Sequence, residues 1–180
     1  MRFKPVPDPP ADLERVAPIL EAVPATAGAV DDCCGRLVDE TRLESRDAAE
    51  TWLVFLRALD LATEESEGYR RVAATSEPGQ PIDPATLQQP FRDRVYGADA
   101  VLEVLERAET SLSVADVSDA VHDERPGLER GSRSDRRERG RGYADDPHER
   151  VRRLLEWADL LGLAARTADG DRYRSASDLA

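Results

Sequence analysis

Apolar positions along the chain recur at helical spacing, give way to short alternating stretches, and then do so a second time. Residues 49–70 align with residues 151–174 at a constant offset, Trp52 standing opposite Leu154. The same offset sets Leu53 against Leu155, Phe55 against Trp157, Leu59 against Leu161, Leu61 against Leu163 and Gly68 against Gly170. After that glycine, two extra residues in the second copy bring Tyr69 opposite Tyr173. Self-similarity of this kind marks one supersecondary unit used twice.

Each copy predicts a helix followed by a hairpin. In the second, Val151, Leu154, Leu155, Ala158 and Leu161 follow a helical period. Gly162 supplies the stop, because glycine tolerates a positive φ. Residues 163–167 and 172–174 read as short strands around a turn at 168–171. The first copy has Asp60 in place of Gly162, which predicts a weaker stop.

Two further helices precede each copy. In the second half, Ala98, Val101, Leu102, Leu105 and Ala108 define one, and Val114, Val117 and Val121 the next. Ser113 is placed to cap the latter, with Leu112 and Val117 as a hydrophobic staple. In the first half the stripes are Leu13, Val16, Ala17 and Leu20, then Val30, Cys33, Cys34 and Leu37. Pro18 inside the first of these predicts a kink or a restart.

The expected fold is therefore mainly α with short β-hairpins, in tandem units over 1–75 and 91–180. Residues 76–90 read as a linker, within the Pro-rich string ATSEPGQPIDPATLQQP. The order helix, helix, helix, hairpin resembles the winged-helix fold, a helix-turn-helix with a β-wing. SLSVADVSDAVHDE and ERVRRLLEWADLLGLAARTADGDRYR are similar to the second helix, third helix and wing of archaeal transcriptional regulators. The opening MRFKPVP, the DDCC at 31–34 and the paired layout resemble a haloarchaeal family of two winged-helix units, across nearly the whole chain. That resemblance implies a fold, which by itself carries no activity.

Charge sharpens the picture. The formal net charge is −12, from 37 acidic and 25 basic residues, and Lys4 is the only lysine. Acidic residues run along the whole chain, and concentrated salt screens their repulsion to within a few ångströms. This composition predicts intracellular life at high salt; the apolar periodicity is too regular for a disordered acidic chain. The first ten residues lack the apolar core of a signal peptide. Runs such as WLVFL at 52–56 are far too short to span a bilayer. The expectation is a soluble cytoplasmic protein with no membrane contact.

The two halves differ at one place. The second carries an Arg-rich insertion at 125–147, in which RPGLERGSRSDRRERGR at 125–141 holds seven arginines against three acidic residues. One reading is a phosphate-binding arm formed by Arg133, Arg136, Arg137, Arg139 and Arg141. The other is a solvated insertion paired with the surrounding acidic surface. Beyond it, Arg152, Arg153, Glu156 and Asp159 occupy outward positions of the predicted third helix, preceded by His148 and Arg150, a mixed face with its cationic part near the N-terminus; Arg166, Arg172 and Arg174 lie in the wing. The corresponding face of the first half, with Glu50, Thr51, Val54 and Arg57, suits DNA poorly.

Other chemistry is weakly supported. Asp31, Asp32, Cys33 and Cys34 suggest metal ligands, but a zinc site needs four ligands at separated spacing, and the two histidines, His122 and His148, are distant in sequence. Buried thiols account better for the cysteines, with a redox-sensing pair as the alternative. No nucleophile motif or phosphate-cradling loop is present, so no enzyme, cofactor or metal is expected. Trp52, Phe55 and Trp157 fall on or beside the buried stripe and read as core. Two functions remain. One is a DNA-associated transcriptional regulator docking on double-stranded DNA through the second unit. The other is a protein-interaction or scaffold module with a protein partner or a second copy of itself.

Overall fold

Side-chain caps set most of the helix boundaries. The structure, a computed structural model, describes residues 4–72, 81–124 and 146–179. A 3₁₀ turn at Leu13–Arg15 leads into α1 (Val16–Ala22). Pro18 thus falls in the first turn of α1, where a missing N–H forfeits no helical hydrogen bond, and the helix restarts as expected. Asp32 caps α2 (Cys33–Glu40), accepting from the Gly35 N–H at 2.9 Å. Val30 precedes that helix and stands outside its stripe. Ser45 caps α3 (Arg46–Ala58), accepting from the Ala48 N–H at 3.1 Å. Strands β1 (Ala62–Glu65) and β2 (Gly68–Arg71) form an antiparallel hairpin.

The second half contains α4 (Pro84–Arg94), α5 (Ala98–Arg107), β3 (Leu112–Ser113), α6 (Val114–Glu124), α7 (Pro147–Leu160), β4 (Ala164–Arg166) and β5 (Arg172–Ser175). Ser113 and Asp116 make a reciprocal cap at the start of α6. The Asp116 N–H donates to Ser113 Oγ at 3.1 Å, and the Ser113 N–H donates to Asp116 Oδ2 at 2.9 Å. The three strands pair antiparallel in the order β3-β5-β4, with Tyr173 opposite both Leu112 and Arg166.

The repeat is visible in the hydrogen bonds. The Leu61 N–H donates to Leu56 O at 2.9 Å, and its repeat mate, the Leu163 N–H, donates to Ala158 O at 2.8 Å. Asp60 has φ 59° and Gly162 φ 71°, so both copies turn out of the helix through the left-handed region. The stop at Asp60 is geometrically equal to that at Gly162. Aspartate is one of the few non-glycine residues that visits this region, and the Arg94 guanidinium pairs with its carboxylate.

The expected linker at 76–90 requires correction, because it becomes helical at Pro84. Asp83 accepts from the Ala85 N–H at 3.0 Å, Pro84 sits at the first helical position, and Leu87 and Phe91 lie one turn apart. Pro90 lies inside this helix and gave the stretch its linker-like composition. Both apolar side chains are fully buried. From α4, Gln88 Nε2 also donates to Leu161 O at 2.8 Å, satisfying a carbonyl at the end of α7.

A single apolar cluster joins the halves. It includes Leu37, Leu53 and Phe55 from the first and Phe91, Leu105, Leu154 and Trp157 from the second. Trp52, Phe55 and Trp157 meet at the junction, as core. Phe55 and Trp157 have ring centroids 4.6 Å apart, and Trp52 lies 5.9 Å from Trp157, edge to face. Phe55 and Trp157 are repeat mates, so corresponding positions of the two copies touch, as when like units meet about a local two-fold axis. Replacing Phe91 by Ala should cost about 3–5 kcal/mol, read as a lower urea midpoint at fixed KCl. The transition should stay single, because Phe91 belongs to a core that both halves share.

Candidate nucleic-acid interface

Helix α7 is the third helix of the second unit, the position from which a helix-turn-helix reads a groove. Asp146 caps it, accepting from the His148 N–H at 3.1 Å, and Pro147 occupies its first turn. Its period buries Val151, Leu154, Leu155, Trp157 and Ala158. Arg150 and Arg153 lie on the Trp157 side, and Arg152 on the opposite side, with Glu149, Glu156 and Asp159.

The Trp157 side is covered by an N-terminal strap, residues 4–8. Pro5 and Pro7 lack N–H groups, and carbonyls of the strap accept side-chain donors from α7. The Trp157 indole N–H donates to Pro7 O at 3.0 Å in a buried hydrogen bond. Arg150 donates to Lys4 O and to Tyr96 O, each at 2.6 Å. Its guanidinium and the Lys4 ammonium also lie over the Tyr96 ring, at 5.6 and 5.8 Å from the centroid. Arg153 Nε pairs with Asp8 Oδ1 at 2.7 Å, with its side chain only 12% exposed. Val6, in the middle of the strap, is buried in the core.

The opposite side is neutralised from within. Arg152 pairs with Glu149 and Glu156, each at 2.8 Å, three residues before it and four after it. The hydrogen bond with Glu149, then that with Glu156, hold this guanidinium still more firmly protonated. With Asp159, this side carries three carboxylates against one arginine. The outward face of α7 is mixed, as expected, and its cationic part is engaged within the chain. Arg150 and Arg153 turn toward the strap, and Arg152 is clamped by its helical neighbours. The third helix of the first unit, α3, is similarly engaged, with Arg57 paired to Glu64.

The wing presents its arginines differently. Along β5, Tyr173 and Ser175 are buried while Arg172 and Arg174 are exposed. Arg172 donates to Ser111 O at 2.8 Å and lies 4.0 Å from Asp116. Arg166 donates to Gly170 O across the hairpin and stacks over the Tyr173 ring at 5.8 Å. Burial raises the Tyr173 hydroxyl above its ordinary pKa. Arg174 lines an open cleft of about 350 Å³ with Ala108, Glu109, Thr110, Ser111 and Thr167. Arg133, Arg136, Arg137, Arg139 and Arg141 lie outside the described residues. Their stretch leaves the end of α6 and returns at the start of α7.

The acidic and thiol groups at 31–34 serve the helix start. Asp32 caps α2 and pairs with Arg46 through two hydrogen bonds, at 2.7 and 2.8 Å; the Arg46 hydrogen bond holds its carboxyl below the usual range. Cys33 and Cys34 are half-buried free thiols, less enclosed than expected, and burial pushes the Cys34 thiol up. Two features escaped sequence reasoning. One is α4, whose Asp-Pro start and four-residue apolar spacing were available signals. The other is the strap, whose Pro-Val-Pro string signals extended backbone but not what it packs on.

The family model of the halobacterial double winged helix domain matches residues 1–178, and the chain belongs to that family. No curated protein and no solved structure matches it. Among the described residues, no helix is long and apolar enough to cross a membrane.

At the root of the wing, hydrogen bonds from the Ser113 N–H and then its hydroxyl hold the Asp116 carboxyl below its ordinary pKa. A depressed folded-state pKa stabilises the fold fully above the unfolded value and loses that contribution as pH falls through the folded one. Asp116→Asn should therefore flatten the decline of the urea midpoint below about pH 4, while lowering stability at neutral pH.

Proposed function

We propose that this double winged-helix protein is a DNA-associated transcriptional regulator that contacts duplex DNA through the wing and Arg-rich stretch of its second unit. One observation carries the reading. Arg172 and Arg174 alternate outward along β5, the central strand of a three-stranded sheet, Arg172 opposite Ser113 of β3 and Arg174 opposite Ala165 of β4, so both side chains leave the face away from the core. Outward guanidinium groups suit phosphate oxygens, which position a protein without reading sequence. The stretch at 125–141 adds seven arginines against three acidic residues in a chain of net charge −12. The acidic outer side of α7 argues against groove readout, which needs donors facing the base edges. The contact is therefore with the backbone and tolerant of sequence. High salt weakens counterion release, so affinity rests on short guanidinium–phosphate hydrogen bonds, for which arginine is better shaped than lysine. A DNA-associated role places the protein in the cytoplasm.

A second reading, a protein-interaction or scaffold module, has its own support. Trp52, Phe55 and Trp157 of the two third helices are buried against one another, so this fold already uses those helices for protein contact.

Anisotropy titration of a labelled duplex at stepped KCl separates the two. Arg172→Ala with Arg174→Ala should weaken binding by about tenfold or more, the loss of two charge-assisted contacts. Arg57→Ala should leave affinity within about twofold, since Arg57 belongs to α3 of the first unit and is already paired with Glu64. Folded wild-type protein that binds no duplex at any KCl concentration contradicts the DNA reading and leaves the protein-contact one.

A further inference from the structure

The strap holds α7 by two kinds of contact. One is apolar and buried: Val6, Pro7 and the indole hydrogen bond of Trp157 to Pro7 O. The other is ionic and open to water on its Asp8 side. The Asp8 carboxylate is 76% exposed, pairs with Arg153 Nε at 2.7 Å and approaches Arg152 at 3.9 Å. No backbone–backbone hydrogen bond ties residues 4–10 to another described segment. Extended Pro-rich backbone makes none internally either. The strap can therefore leave without unpairing any strand or unwinding any helix.

Its position matters for the DNA reading. Arg150 and Arg153 occupy the first half of α7, where the Arg-rich stretch returns to the described chain. Asp8 presents carboxylate oxygens to two guanidinium groups at one helix end, the arrangement a backbone phosphate would adopt. Glu149 shares the Arg152 guanidinium with Asp8 and offsets part of its charge, so the anion contact at this end rests mainly on Arg150 and Arg153.

We infer that residues 4–8 form an autoinhibitory strap that competes with duplex DNA for the Arg150–Arg153 end of α7. Displacing it extends the backbone contact from the wing onto α7. This inference rests on the DNA reading above. A phosphate offers Arg153 the same charge-assisted hydrogen bonds as the Asp8 carboxylate, so the strap is closed in the free protein and open to displacement by a polyanion.

Two readouts on the full chain test it, with a mixed-sequence duplex at one KCl concentration. The first is affinity: Asp8→Asn should bind about threefold tighter than Glu44→Gln, which removes the same charge at an exposed site remote from α7. The second is hydrogen exchange at the Trp157 indole N–H, followed by NMR; saturating duplex should accelerate it about tenfold or more. Equal affinity of Asp8→Asn and Glu44→Gln, or unchanged protection of Trp157 in a protein that does bind duplex, overturns the strap and leaves the DNA reading standing. Absence of duplex binding by the wild type and by Asp8→Asn overturns both.

Discussion

The complete burial of Trp157 is the constraint on which the other features depend. A buried indole needs a partner for its N–H, and its ring needs apolar neighbours on every side. Phe55 and Trp52 of the first unit fill the ring contacts, and Pro7 O takes the hydrogen bond. One side chain thus fixes the approach of the two units and the course of the strap. The ion pairs around it follow. Once residues 4–8 run along α7, Arg153 finds Asp8 and Arg150 finds Lys4 O.

This arrangement divides labour within a repeated fold. In an isolated winged helix the third helix is free to enter a groove. Here the two third helices meet through Trp52, Phe55 and Trp157, and the arginines of α7 described above are engaged within the chain. The wing of the second unit presents outward arginines along β5, which β3 joins as a third strand; in the first unit a backbone hydrogen bond, from the Arg71 N–H to Pro24 O at 2.8 Å, stands in that place. The asymmetry between the units therefore lies in their connections. β3 completes a third strand in one unit only, and the Arg-rich stretch belongs to the same unit.

Much of the framework was legible in the sequence because it is local. The helix–helix–helix–hairpin order follows from period and turn chemistry, and Ser113 and Pro18 signal their own positions at helix starts. The repeat correctly pairs Leu61 with Leu163, whose N–H groups close equivalent turns. Features that depend on distant partners were not legible. Helical spacing alone makes Arg150 and Arg153 outward, since nothing near them in sequence announces residues 4–8. Arg152 reads as a free cation until geometry sets it between Glu149 and Glu156. Helix α4 was hidden by composition, as Pro84 and Pro90 resemble linker prolines until Leu87 and Phe91 are seen to reach the common core. The stop at Asp60 was underrated because its stabilising partner, Arg94, lies in that same overlooked helix.

The central claim is that the two units share one core through their third helices and unfold as one body. Native-state hydrogen exchange of the backbone amides in α3 and α7 tests it most directly. The account predicts that the slowest amides of both helices exchange with the same opening free energy and the same denaturant dependence, equal to those of global unfolding. Amides of α7 that remain protected after those of α3 have opened in a separate, smaller transition would contradict it.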